Sequence, residues 1–140
     1  MNNENINFET QKEKEDRSKW TVQQWTDYAK AGNKDLKGAN LEGANLDGVD
    51  LNSADLRDAN LRGADLEGAT LDSADLRGAD LREAYLEGAH LVEADLREAI
   101  LYEYEGWDCV NKADLFLANI ASANIDGQDE KQLRKQVAGF

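Results

Sequence analysis

One apolar rule runs through the middle of the chain. Leucine stands at 36, 41, 46, 51, 56, 61, 66, 71, 76, 81, 86, 91, 96 and 101, fourteen times at an unbroken spacing of five. Alanine stands two residues before each, except at Lys34 and Val49. Asp or Asn lies between the two in ten of the fourteen cases, the exceptions being Thr70, Tyr85, His90 and Ile100. A period of five suits neither the helix, at 3.6, nor the flat strand, at 2.0. On a straight helix these leucines would be smeared around the whole circumference. The pattern predicts instead pentapeptides made of one short extended piece and one turn, with Leu and Ala pointing inward and the other three positions outward. Gly, Asp, Asn and Ser at the outward places supply turn chemistry. The chain then coils, and the leucines stack into a continuous interior.

A second rule sets the number of pentapeptides per coil. Taken at intervals of twenty, the residues after the leucines are Lys37, Arg57, Arg77, Arg97; then Glu42, Arg62, Arg82, Tyr102; then Asp47, Glu67, Glu87; then Asn52, Asp72, Val92. The first set is all basic and the third all acidic. Asp35, Asp55, Asp75 and Asp95 before the leucines, and Gly48, Gly68 and Gly88 two residues after them, keep the same register. Four fives per repeat imply a four-sided coil. Like residues then lie one above another, separated by roughly the 4.8 Å of neighbouring strands.

The A-(D/N)-L-x-x pattern, as in Ala39-Asn40-Leu41-Glu42-Gly43 and Ala64-Asp65-Leu66-Glu67-Gly68, resembles the pentapeptide repeat proteins. The resemblance covers residues 34 to 103 and resumes over 113 to 127. It implies an all-β fold, a right-handed quadrilateral β-helix, and the handedness comes from the resemblance and not from the spacing. The segment from Trp20 to Leu36 is also similar to the helical lead-in of bacterial, often cyanobacterial, members.

A stacked solenoid has two open ends, which terminal segments usually cover. Thr21-Val22-Gln23-Gln24 reads as a capping box. Val22, Trp25 and Ala29 then share one helical face with Tyr28 beside it, and Gly32 suits the stop. The expected organisation is a polar tail at 1–17, a capping helix at 18–33, the solenoid at 34–127 and a C-terminal capping helix or tail at 128–140. In the last of these Asp129 starts a short helix with Leu133 and Val137 at i and i+4. Between Leu101 and Leu115 the spacing is fourteen, so the solenoid is interrupted at 102–112. Keeping Val110 as a central residue makes Tyr104 to Trp107 a four-residue bulge. Ala113-Asp114-Leu115, Ala118-Asn119-Ile120 and Ala123-Asn124-Ile125 complete the coil.

Composition narrows the function. The 140 residues carry a formal charge of −13, which argues against a grip on nucleic acid or on an anionic membrane, since such binding uses clustered Lys and Arg. Basic or neutral partners are expected. The first seventeen residues lack the apolar stretch of a secretory signal, and no run of eighteen apolar residues occurs, so the expectation is a cytoplasmic protein away from the membrane. The single cysteine, Cys109, rules out an internal disulfide framework and a cysteine-based zinc site.

Catalysis needs unlike groups converging in a pocket that excludes water. An interior of Leu and Ala under a convex exterior offers the reverse. His90, the only histidine, stacks in register on Thr70, and Cys109 has no basic neighbour in its segment. No nucleotide-binding glycine loop is present. The expectation is therefore a non-enzyme, with no catalytic, cofactor or metal site. The ladder of Asp35, Asp55, Asp75 and Asp95 could suggest a cation site. The basic row two residues along favours a structural reading, in which the aspartates accept backbone hydrogen bonds at turns and the cations offset their repulsion.

Two functional readings follow. Residues 35 to 101 hold sixteen Asp or Glu and six Lys or Arg, a net of −10. Over about 3.4 coils that is near one negative charge per 1.6 Å, close to the roughly 1.7 Å of duplex DNA. Some pentapeptide repeat proteins are DNA mimics that occupy type II topoisomerases such as gyrase, so the resemblance admits that role. The basic row from 37 to 97 weighs against it. The preferred reading is a scaffold or protein-binding module for a protein partner. Its candidate surface is the set of outward residues that depart from polarity, Tyr85, Ile100, Tyr102, Tyr104 and Trp107, with Arg62 and Arg82 as a second candidate. The assembly expected is a monomer, or an end-to-end dimer through an imperfectly capped coil.

Overall fold

The computed structural model describes residues 16 to 101. The expected polar tail up to residue 15, the interruption at 102–112, the later pentapeptides and the C-terminal cap lie outside the described residues.

Each pentapeptide ends in a tight turn. The alanine N–H donates to the carbonyl of the leucine three residues earlier, as in Ala39 to Leu36 at 3.0 Å and Ala64 to Leu61 at 3.0 Å. The residue two after each leucine has a positive φ: 63° at Gly43, 58° at Ser53 and 61° at Glu98. A hydrogen bond from i to i+3 with positive φ at the third residue is the signature of a type II turn. Glycine adopts that backbone without steric penalty, whereas Ser53, Asp58, Ser73, Glu83, Glu93 and Glu98 hold it against the Cβ penalty.

Between turns, the residue before each leucine forms a parallel bridge to its counterpart twenty residues on. Asp35 pairs with Asp55, Asn40 with Asn60, Asn45 with Asp65, Asp50 with Thr70, and the series continues to Asp80 with Ile100. This register makes a coil of twenty residues with four sides. Side 1 carries Leu36, Leu56, Leu76 and Leu96; side 2 Leu41, Leu61, Leu81 and Leu101; side 3 Leu46, Leu66 and Leu86; side 4 Leu51, Leu71 and Leu91. The turn that follows each side is a corner of the same number. Coil 1 runs from 34 to 53, and each later coil repeats it.

Stacking places the leucines in one interior column. All fourteen are at most 1% exposed, and the repeat alanines at most 3%. Burying a leucine side chain stabilises by about 1.5–3 kcal/mol. Alanine two residues earlier leaves room for the leucines to meet. Val49, in an alanine position, is only partly buried.

The near end is closed by helix α1, Val22–Lys30, preceded by a 3-10 turn at Arg17–Lys19. The Thr21 Oγ1 accepts from Gln24 N at 3.3 Å, and the Gln24 side chain accepts from Thr21 N at 2.8 Å, which completes the capping box. At the other end Gly32, at φ 87°, lets its N–H reach Ala29 O at 2.9 Å and lets Asn33 N reach Tyr28 O at 3.3 Å. That pair is a Schellman stop. Trp25 and Ala29 belong to the same core cluster as the leucines, while Trp20, Val22 and Tyr28 pack against it. The ring centroids of Trp20 and Trp25 are 4.8 Å apart, and Arg17 lies over both Trp20 and Tyr28.

Candidate interaction surface

The exterior is organised by corner. Corner 1 carries Lys37, Arg57, Arg77 and Arg97, which with Asp58 and Glu98 line a shallow groove of about 230 Å³. The three arginines are committed within the fold. Arg57 donates Nε and Nη2 to Asp55 at 2.8 and 2.6 Å, Arg77 does the same to Asp75 at 2.8 and 2.6 Å, and Arg97 grips Asp95 at 2.9 and 2.6 Å. The ladder also couples coils, with Arg57 Nε 3.6 Å from Asp75 and Arg77 Nε 3.7 Å from Asp95. Each aspartate accepts in addition the backbone N–H of its own arginine, at 3.2 Å in Asp55 and 3.3 Å in Asp75.

Those hydrogen bonds hold Asp55, Asp75 and Asp95 below the usual carboxylate range, chiefly through the guanidinium two residues on. The same aspartates raise Arg57, Arg77 and Arg97. In the aspartate ladder Asp55, Asp75 and Asp95 are each engaged by an amide and a guanidinium, and Asp35 by the Arg17 guanidinium. Among the described residues no group of three or more His, Cys, Asp or Glu is disposed to hold a metal ion.

Corner 2 carries Arg62 and Arg82. Arg62 Nη2 meets Glu83 Oε1 at 2.6 Å, and Arg82 chelates Asp80 through Nε at 2.8 Å and Nη2 at 2.5 Å. Asp80 is lowered, first by its hydrogen bond from Arg82. The two sides that meet at this corner hold the two apolar candidates within the described residues. Ile100 is half-buried on side 2, directly over Asp80, and Tyr85 stands on side 3 over Asp65 and Asn45. Tyr85 is 61% exposed, in a row whose earlier members are polar. The fold therefore groups Arg62, Arg82, Tyr85 and Ile100 around one edge of the prism. Tyr102, Tyr104 and Trp107 lie outside the described residues.

Corner 3, diagonally opposite the basic corner, carries Asp47, Glu67 and Glu87 beside Gly48, Gly68 and Gly88. The pentapeptides of sides 3 and 4 hold seven carboxylates, Asp47, Asp50, Asp65, Glu67, Asp72, Glu87 and Glu93, and no Lys or Arg. Those of sides 1 and 2 hold the other nine carboxylates of residues 35 to 101 together with all six cations. The cations of residues 35 to 101 are thus confined to half of the prism, and Asp50 of side 4 is met by Lys34 from just before that range.

The model for pentapeptide repeats matches residues 35–72 and 74–103, in eight copies. Among solved structures, a pentapeptide repeat protein from Nostoc Pcc 7120 is 37% identical, with 76% of this chain and 73% of that one covered at a TM-score of 0.30. The chain belongs to the pentapeptide repeat family. Another pentapeptide repeat protein, from the cyanobacterium Cyanothece 51142, is 39% identical over 66% of this chain and 60% of that one, with a TM-score of 0.32. A third, HetL of Nostoc sp. strain PCC 7120, described as involved in heterocyst differentiation regulation, is 31% identical over 66% of this chain and 51% of that one, with a TM-score of 0.38. The chain thus spans between half and three fifths of the last two. Membership rests on the identity and the repeat match, and the superpositions add nothing to it. A comparison with the curated proteins gives no match. Pentapeptide repeat proteins form right-handed β-helices and are in general structural or interaction proteins.

Proposed function

We propose that this pentapeptide repeat protein is a non-enzymatic interaction module that presents a rigid edge, corner 2 with its flanking sides, to a protein partner. The observation that carries the reading is Tyr85, a 61% exposed aromatic among otherwise polar rows. Aromatic side chains held on a rigid support give large contact area at small entropic cost, which is why they concentrate at binding hot spots. Arg62 and Arg82 are held by Glu83 and Asp80, so they meet a partner already oriented. Tyr102, Tyr104 and Trp107 extend the same apolar departure along the sequence, and the working location is the cytoplasm.

The test is affinity capture with matched full-length baits. Tyr85→Ser, and separately Tyr104→Ser with Trp107→Ser, should each lose the partner that the parent retains while the thermal melt stays unchanged. Undiminished capture by the Tyr85→Ser bait refutes the reading.

A second reading, DNA mimicry toward a type II topoisomerase, is favoured by one observation. The acidic corner and the two sides without Lys or Arg face away from the basic row, so that row does not neutralise them. A gyrase supercoiling assay separates the readings: no inhibition at tens of micromolar counts against mimicry.

A further inference from the structure

Successive coils are joined by the same three hydrogen bonds on every side. Asn60 N donates to Ala39 O at 2.9 Å, while Leu41 N donates to Asn60 O and Gly43 N to Arg62 O, both at 2.8 Å. Each coil therefore shows its predecessor one N–H and two carbonyls per side, those of the residue before the leucine and of the residue after it. Among the described residues no coil precedes coil 1, and these groups form a β edge there.

On two of the four sides a cation takes the carbonyl of the residue before the leucine. Arg17 Nη1 donates to Asp35 O at 3.3 Å and to Asp35 Oδ2 at 3.0 Å. Lys34 Nζ donates to Asp50 O at 2.6 Å and to Asp50 Oδ1 at 3.0 Å. On sides 2 and 3 the N–H and carbonyl of Asn40 and Asn45, and the carbonyls of Glu42 and Asp47, have no hydrogen-bond partner among the described residues. All four residues are exposed.

We infer that this half of the rim, residues 39 to 48, is a strand-addition edge that takes a basic segment of a partner protein, extended along each side and turned at corner 2 between them. An extended chain supplies the complement, a carbonyl for each Asn N–H and amides for the carbonyls, which is how sheet edges capture peptides. Side chains of neighbouring coils stack in register, so a Lys or Arg on the incoming segment would lie over Glu42 or Asp47. Sides 1 and 4 already use that chemistry at Asp35 and Asp50, a cation set on both a carbonyl and a carboxylate. Helix α1 shares the core beneath this end. The occupant is therefore a segment laid along the rim and not a whole second coil. This edge lies on the same two sides of the prism as Tyr85, two coils away from it.

The probe is a fluorescent decapeptide with the sequence of residues 39–48 carrying Glu42→Lys and Asp47→Arg, titrated against the full chain by anisotropy. Saturable binding is expected. It should weaken at least tenfold when both peptide leucine amides are N-methylated, and at least tenfold in the protein variant Asn45→Pro, which removes an N–H that bonds nothing among the described residues. Should Asn45→Pro fail to fold by circular dichroism, Asp47→Lys serves in its place with the same expected loss. Tyr85→Ser should leave peptide binding unchanged, which separates failure here from failure of the proposed function. Absence of binding, or equal binding of the methylated peptide, overturns the inference. Binding that appears only after deletion of residues 1–15 assigns the edge to the chain's own N-terminal residues and also overturns it. So does loss of peptide binding through self-association, seen as a dimer in sedimentation.

Discussion

Asp58 lays its carboxylate across the corner glycine one coil further on, Gly78. A β-carbon built at Gly78 would stand 2.6 Å from Asp58 Oδ1. Gly43, in the same backbone conformation, has nothing within 4 Å of that position. Gly43→Ala should therefore cost only the left-handed backbone penalty, about 1 kcal/mol. Gly78→Ala should cost more, and the excess should vanish in an Asp58→Gly background. Denaturant melts of the four variants check this; equal costs at both glycines would mean that Asp58 swings aside freely.

The corners of the later coils carry removable strain. Glu98 holds φ at 61° in the corner position where Gly38 and Gly78 stand, and Glu93 holds 59° where Ser53 and Ser73 stand. Glu93→Gly and Glu98→Gly should each stabilise by roughly 0.5–1 kcal/mol, the Cβ relief exceeding the added chain entropy. Thermal melts of the single variants and the pair should rise in additive steps. A fall in both singles would show that the glutamates contribute interactions larger than their strain.

Acid should loosen the solenoid by way of its aspartates. Asp55, Asp75, Asp80 and Asp95 are held below their ordinary range, first by hydrogen bonds from Arg57, Arg77, Arg82 and Arg97. A carboxylate with a lowered folded pKa contributes stability above its unfolded pKa, near 3.9, and that contribution is lost as the pH falls through the folded value. Stability from this source should be flat from pH 7 to about 5 and should decline below about 4. Replacing all four aspartates by Asn should flatten the acid limb of a chemical-denaturation profile. An unchanged limb would place acid sensitivity elsewhere.

Leu66 lies at the middle of the interior column and is fully buried. Leu66→Ala should destabilise by about 2–5 kcal/mol through lost burial and the cavity left behind. Leu66→Lys adds an unpaired charge to an apolar stack and should abolish folding, seen as loss of the β signal in circular dichroism. A folded Lys variant would show that the column is not packed as described.

Much of the fold is legible from spacing because the solenoid is built from local rules. A leucine every five residues with alanine two before it sets which atoms face inward, and within the described residues each of these leucines and alanines is buried. Glycine, serine and acidic residues two after the leucine mark the corners, and a repeat of twenty sets the register of the Asp35–Asp55 and Asn40–Asn60 bridges. Family membership follows from the same strings.

What the tertiary structure alone decided was pairing and position in space. That Arg57 chelates Asp55 while reaching for Asp75, and that Arg62 turns to Glu83, depends on side-chain directions at a corner that linear charge counts do not contain. That Tyr85, Ile100 and the two arginines share one edge emerges only when the coil closes. Composition adds charges along a line; folding separates them onto sides, and it is the sides that a partner meets.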